Sequence, residues 1–256
     1  MQAEPGDDPL LPTSSSTPDA PTLRPTAAPA HRWGLGAFVL VELVYLLSST
    51  LLALVVASAG PRSAALISLA VAAPTVIAAG LAVFITMRRG NGPRTDLRMG
   101  GTWRDVRLGL VFGLGGLVVS VPASMLYASI TGPDANSALY KVFGDVRASW
   151  PWAVAVFIVV VFVGPLCEEI LYRGLLWGAL ERRWGQWVAL VVSTAVFALA
   201  HFEFTRAPLL LVIAVPIALA RLYSGGLWAS IVAHQVTNSL PGLVLMLILT
   251  GTMPAS

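Results

Sequence analysis

Long blocks of apolar residues recur along this chain, separated by short polar stretches. They run roughly over residues 33–59, 64–87, 106–130, 150–180, 187–204, 208–223 and 227–249. Most reach the ~20 residues a helix needs to cross a hydrocarbon core. The pattern predicts an all-α fold, a polytopic transmembrane helix bundle of about seven spans. The pair Pro241-Gly242 inside the last block offers a break that would raise the count to eight. Residues 1–31 are rich in Pro, Thr, Ser, Ala and Asp, show no apolar period, and are expected to form a disordered tail. They open on acidic residues and lack a basic stretch before an apolar one, so they do not read as a secretory signal. The chain divides into this tail, N-terminal membrane helices over 32–149, and a segment over 150–250 that carries the candidate chemistry.

Composition sharpens the class. Charged residues make up 11% of the 256 residues, against about 25% in soluble domains, so the chain is expected to be a multi-pass protein of the cell membrane, with the lipid bilayer as its first partner. The net charge of +3 comes with no basic stripe interleaved with aromatics, which argues against nucleic acid. Cys167 is the only cysteine, which excludes an intrachain disulfide and a Cys-based zinc site. Arg88, Arg89, Arg94, Arg98, Arg104 and Arg107 crowd the stretch after the second block, against Asp96 and Asp105. By the positive-inside rule that stretch, and with it the N-terminus, is cytoplasmic, and a seven-span chain ends outside. Trp150, Trp152, Trp184, Trp187 and Trp228 fall at block ends, as interfacial anchors do.

Three polar motifs interrupt the later blocks: Glu168-Glu169 with Arg173, then His201, then His234 with Asn238. Ionisable groups inside a membrane cost several kcal/mol and mark functional sites by default. Glu169 and Arg173 are four residues apart and can pair on one helix face, which leaves Glu168 free as a general base toward water. Phe197 and His201 share a face, so the ring can support the imidazole. His234 and Asn238 also share one, and together can donate hydrogen bonds to a developing oxyanion; a neutral His can instead hold a metal. Glu42, in the first block, either faces the cavity or pairs with an Arg. Glu203 reads as interfacial and Cys167 as a packing residue.

Glu168-Glu169-x-x-x-Arg173, Phe197-x-x-x-His201 and His234-x-x-x-Asn238 resemble the three signatures of the CAAX protease and bacteriocin-processing family, intramembrane endopeptidases akin to type II CAAX prenyl endopeptidases. The resemblance covers roughly residues 150–245. It implies a helical membrane fold whose cavity opens to the cytoplasm, with Glu168 and His201 activating water and His234 and Asn238 stabilising the oxyanion. Glu169 and Arg173 fill the supporting positions. The family is often classed with metalloproteases, and Glu168, His201 and His234 are the candidate ligands for Zn²⁺. No His-Glu-x-x-His pattern is present, and a metal-free glutamate mechanism uses the same residues. The substrate would be a peptide or a membrane protein, and neither its identity nor the oligomeric state follows from the sequence. Two other classes compete: a non-catalytic scaffold or immunity protein that binds a peptide or lipid in the same cavity, and a transporter with a proton relay. The second lacks the internal repeat such proteins often show.

Overall fold

The computed structural model describes residues 32–58, 64–132, 142–143 and 146–254, and among these the regular structure is helical. The expected tail, residues 1–31, and most of the polar stretch before residue 150 lie outside the described residues. The helices are α1 (Leu35–Ser58), α2 (Ala64–Arg89), the single turn α3 (Pro93–Asp96), α4 (Trp103–Thr131), α5 (Trp150–Trp184), α6 (Gln186–Leu199), α7 (Ala207–Ser224) and α8 (Leu227–Leu249). Six of them are long and apolar enough to cross a membrane; α6, with 14 residues, is shorter. These are the seven apolar segments that the sequence predicts.

The chain reverses where the backbone allows it. Gly185 separates α5 from α6 at φ 84°, and Gly225 ends α7 at φ 72°, conformations that cost a glycine little. Two expected boundaries move. The apolar block that continues to Phe204 stops being helical at Leu199, because the chain turns through Ala200 and His201 into Phe202 at φ 55°. A bulky residue in that region is a true outlier, and it lies next to a candidate site residue. The last block, conversely, does not break at Pro241-Gly242: α8 is continuous. Gly242 lies so close to α5 that a Cβ there would stand 2.5 Å from Val161 Cγ2, so packing against a neighbour holds the helix through its proline.

Hydrogen bonds sort the helix ends into two faces. At one face the Arg32 N–H donates to Arg89 O (2.9 Å), Leu227 N–H to Arg98 O (3.0 Å) and Trp228 Nε1 to Met99 O (2.8 Å). There Trp33 Nε1 donates to Asp96 Oδ2 (2.7 Å) and the Arg182 guanidinium lies 3.9 Å over the Trp33 ring. At the other face Ala148 N–H meets Leu249 O at 2.9 Å. Trp150, Trp152, Trp184, Trp187 and Trp228, the expected anchors, are exposed or nearly so at helix ends. Leu40, Leu43, Leu47, Leu51 and Leu54 of α1 are exposed as well, a leucine-covered surface that suits lipid and not water.

The bundle closes around α8. Gly109 and Gly113 of α4 lie directly against it: a Cβ at Gly113 would fall 2.7 Å from Val236 Cβ and 3.0 Å from Ala233 O. Without a hydrophobic drive between helices in lipid, such small-residue contacts are what let backbones approach. This approach fixes the stretch of α8 that carries His234.

Candidate active site

The long helix α5 supplies the acidic motif near its middle, and it is not uniformly α-helical. Two stretches, Val159–Val163 and Ile170–Leu176, are π-helical and flank the α-helical Gly164–Glu169. The first has a local cause. Gly164 N–H reaches back five residues to Val159 O. The next residue in that register is Pro165, which has no N–H to give Val160 O. Asn238 of α8 fills the vacancy, its Nδ2 donating to Val160 O at 3.2 Å. A backbone acceptor at membrane depth needs such a partner, and π-bulges often accompany functional sites.

Glu168 and Glu169 have separate environments. Glu169 is fully buried, and its Oε1 lies 3.1 Å from Arg173 Nη1 and 3.0 Å from His234 Nδ1. Arg173 is equally buried, with its guanidinium 4.4 Å over the Phe197 ring. Glu168 keeps 27% of its side chain exposed and stands 3.7 Å from His234 Nε2. The expected Glu169–Arg173 pair is therefore present, and Glu168 is the accessible carboxylate. The i, i+4 spacing signals the pair; nothing in the sequence signals that Glu169 also reaches His234, 65 residues on.

Phe197, buried on α6, joins the two histidines. Its ring meets His201 at 4.7 Å and His234 at 5.6 Å between centroids, both edge-on. His201, on the turn after α6, has Nδ1 2.8 Å from Phe197 O. A carbonyl only accepts, so Nδ1 carries the proton and Nε2 is the free nitrogen. By the same logic Nδ1 of His234 donates to Glu169, and its Nε2 faces Glu168. Asn238 spends one of its two amide N–H groups on Val160 and keeps the other.

Among the described residues Glu42 pairs with no arginine in the way one sequence alternative had it; the Tyr172 hydroxyl donates to its carboxylate. Glu203 pairs with Arg206 and Cys167 is buried. Tyr172, which packs on Phe197 at 5.3 Å, is a neighbour of the site that sequence reasoning missed; its place beside Arg173 was the available signal. Among the described residues no three His, Cys, Asp or Glu side chains converge as metal ligands.

Residues 150–240 match the family model described as type II CAAX prenyl endopeptidase Rce1-like. The chain is 28% identical over 172 residues to an Escherichia coli protein described as "Uncharacterized 24.3 kDa protein", covering 65% of this chain and 76% of that relative. It is also 28% identical over 153 residues to the Bacillus subtilis (strain 168) protein named "Putative membrane peptidase YdiL". That match covers 57% of this chain and 60% of the relative, less than two thirds of its length. No solved structure matches the chain. The segment similar to the Rce1-like family of type II CAAX prenyl endopeptidases, residues 150–240, is the one that holds Glu168, Glu169, Arg173, His201, His234 and Asn238.

Proposed function

We propose that the protein is an intramembrane endopeptidase that hydrolyses a peptide bond with water activated by Glu168 and His201. The observation that carries this reading is the unequal environment of two adjacent carboxylates. Glu169 is consumed by Arg173 and His234, while Glu168 remains accessible beside the His234 imidazole. A purely structural cluster has no use for the second, half-solvated carboxylate.

In this mechanism a water between Glu168 and His201 Nε2 attacks the substrate carbonyl carbon and gives its proton to Glu168. The carbonyl oxygen becomes an oxyanion, held by the His234 Nε2–H and the second N–H of Asn238. Donation from Nε2 requires that His234 carry both protons, with Nδ1–H directed at the Glu169 carboxylate. Glu168 then passes its proton to the leaving nitrogen as the C–N bond breaks. No step needs a metal. The arginines between residues 88 and 107 support a cavity that opens to the cytoplasm, with a peptide segment or membrane protein as substrate.

The test is cleavage of a quenched peptide library by purified protein in detergent, beside Glu168→Ala and His201→Ala and with and without chelator. Wild type cleaves with or without chelator, and loss of the general base lowers the rate by roughly 10²–10⁴-fold. A Glu168→Ala protein that cleaves at the wild-type rate, or a wild type that cleaves no peptide, overturns the reading. Chelator-sensitive cleavage restored by Zn²⁺ overturns the metal-free part of it.

A further inference from the structure

Glu42 lies outside the family-matched segment and is the only charged residue in α1. The rest of that helix is apolar or carries hydroxyls, and most of it faces outward. A carboxylate in such a segment needs a reason, because isolating it in lipid is costly. The partner the structure gives it is a hydroxyl and not a cation: Tyr172 OH stands 3.3 and 3.4 Å from its two oxygens. Tyr172 is buried, so its hydroxyl also needs an acceptor.

The contact leads straight to the site. The Tyr172 ring is wedged between Phe38 of α1 (6.0 Å) and Phe197 of α6 (5.3 Å), edge-on to both. Phe197 carries both imidazoles. Tyr45, one turn along α1 from Glu42, packs against the buried cluster that contains Tyr172 and Phe197. The polar side of α1 thus faces the site, while its leucines face lipid.

We propose that Glu42 is a positioning residue of this site: by accepting the Tyr172 hydroxyl it locks the Tyr172–Phe197 wall on which His201 and His234 rest. The acceptor atom, not the charge, does this work, so glutamine replaces Glu42 and alanine does not. The kinetic consequence rests on the endopeptidase reading; the geometric one does not.

The experiment therefore has two arms. The chain has three histidines, His31, His201 and His234, so ¹⁵N-histidine spectra in micelles resolve each ring, with His31 as the internal reference. Glu42→Ala and Tyr172→Phe each shift the His201 and His234 resonances and leave His31 in place, and Glu42→Gln returns them toward wild type. In the cleavage assay the same two variants lower kcat by about 10- to 100-fold, the cost of a slightly misplaced group, with KM unchanged. Their combination is no worse than either alone. Unchanged His201 and His234 resonances in a folded Glu42→Ala protein overturn the proposal. So does a Glu42→Gln protein as impaired as Glu42→Ala, or losses that multiply in the double variant. If wild type cleaves nothing but the resonances respond as described, the endopeptidase reading falls and the positioning role stands.

Discussion

Glu169→Leu should be among the most destabilising single changes in this chain, and Arg173→Met should undo much of the damage. Both side chains are completely buried, and they share one close contact at 3.1 Å. With Glu169 removed, the Arg173 guanidinium keeps the face of Phe197 but no carboxylate, and its Nε and Nη2 already lack a hydrogen-bond partner among the described residues. An uncompensated buried charge of this kind costs about 3–5 kcal/mol, a large fraction of the 5–15 kcal/mol that typically holds a fold. Removing both charges together leaves lost packing and one unpaired His234 nitrogen, about 1–3 kcal/mol. The double variant should thus be more stable than Glu169→Leu alone by roughly 2 kcal/mol. Denaturant titration in micelles, followed by tryptophan fluorescence, measures wild type, both single variants and the double variant. The double variant should also stay inactive although refolded, because the His234 imidazole has lost the acceptor that orients it. A Glu169→Leu protein within about 0.5 kcal/mol of wild type, the scale of a solvated pair, would refute the argument, and so would strictly additive single effects.

Gly113→Leu should cost about 1–3 kcal/mol and lower activity by pushing α8 away, since its Cβ alone meets Val236 and Ala233 O; Gly115→Leu, with open space at that position, should leave both at wild type. Unfolding curves and peptide cleavage of the two variants decide. Asn238→Leu should lose stability as well as about 10²–10³-fold in kcat, because Val160 O loses its donor. In a Pro165→Ala background the new Ala N–H supplies that donor, so the stability cost of Asn238→Leu should shrink while the kcat cost persists; a double-mutant cycle reads both. Reporter fusions should place the N-terminus in the cytoplasm and the C-terminus outside, since Trp33 and Leu249 close opposite faces of the bundle; both reporters on one side would contradict this arrangement.

Most of the helix inventory was legible because lipid imposes a simple rule. A long apolar block must satisfy its backbone internally, and only a helix does so locally. The departures came where neighbours decide. The block that ends in Phe204 has no breaker in sequence between Leu199 and His201, so periodicity runs past the turn. Pro241-Gly242 is a strong breaker in sequence, yet close packing on Val161 keeps α8 whole. In both cases the local signal was read correctly and tertiary contacts overrode it.

The candidate site shows the same division more sharply. Spacing within one helix revealed Glu169 with Arg173, Phe197 with His201, and His234 with Asn238, because four residues bring side chains to one face. What joins these pairs into a single arrangement lies between helices. Glu169 reaches His234 on α8, Phe197 touches both imidazoles, and Asn238 reaches Val160 on α5. The last contact explains why the outcome resisted prediction. Pro165 alone announces a disturbed helix, but a kink, a break or a π-helical turn would each satisfy it. Only the π register leaves Val160 O as the carbonyl without a donor, and only α8 at close range can bring an amide to it. Pro165 and Asn238 thus form one device across two helices. The proline opens an acceptor, and the asparagine that closes it is held with its second N–H free beside His234. A residue that reads in sequence as half of a His-Asn pair is therefore also the clamp between the two helices that carry the candidate chemistry.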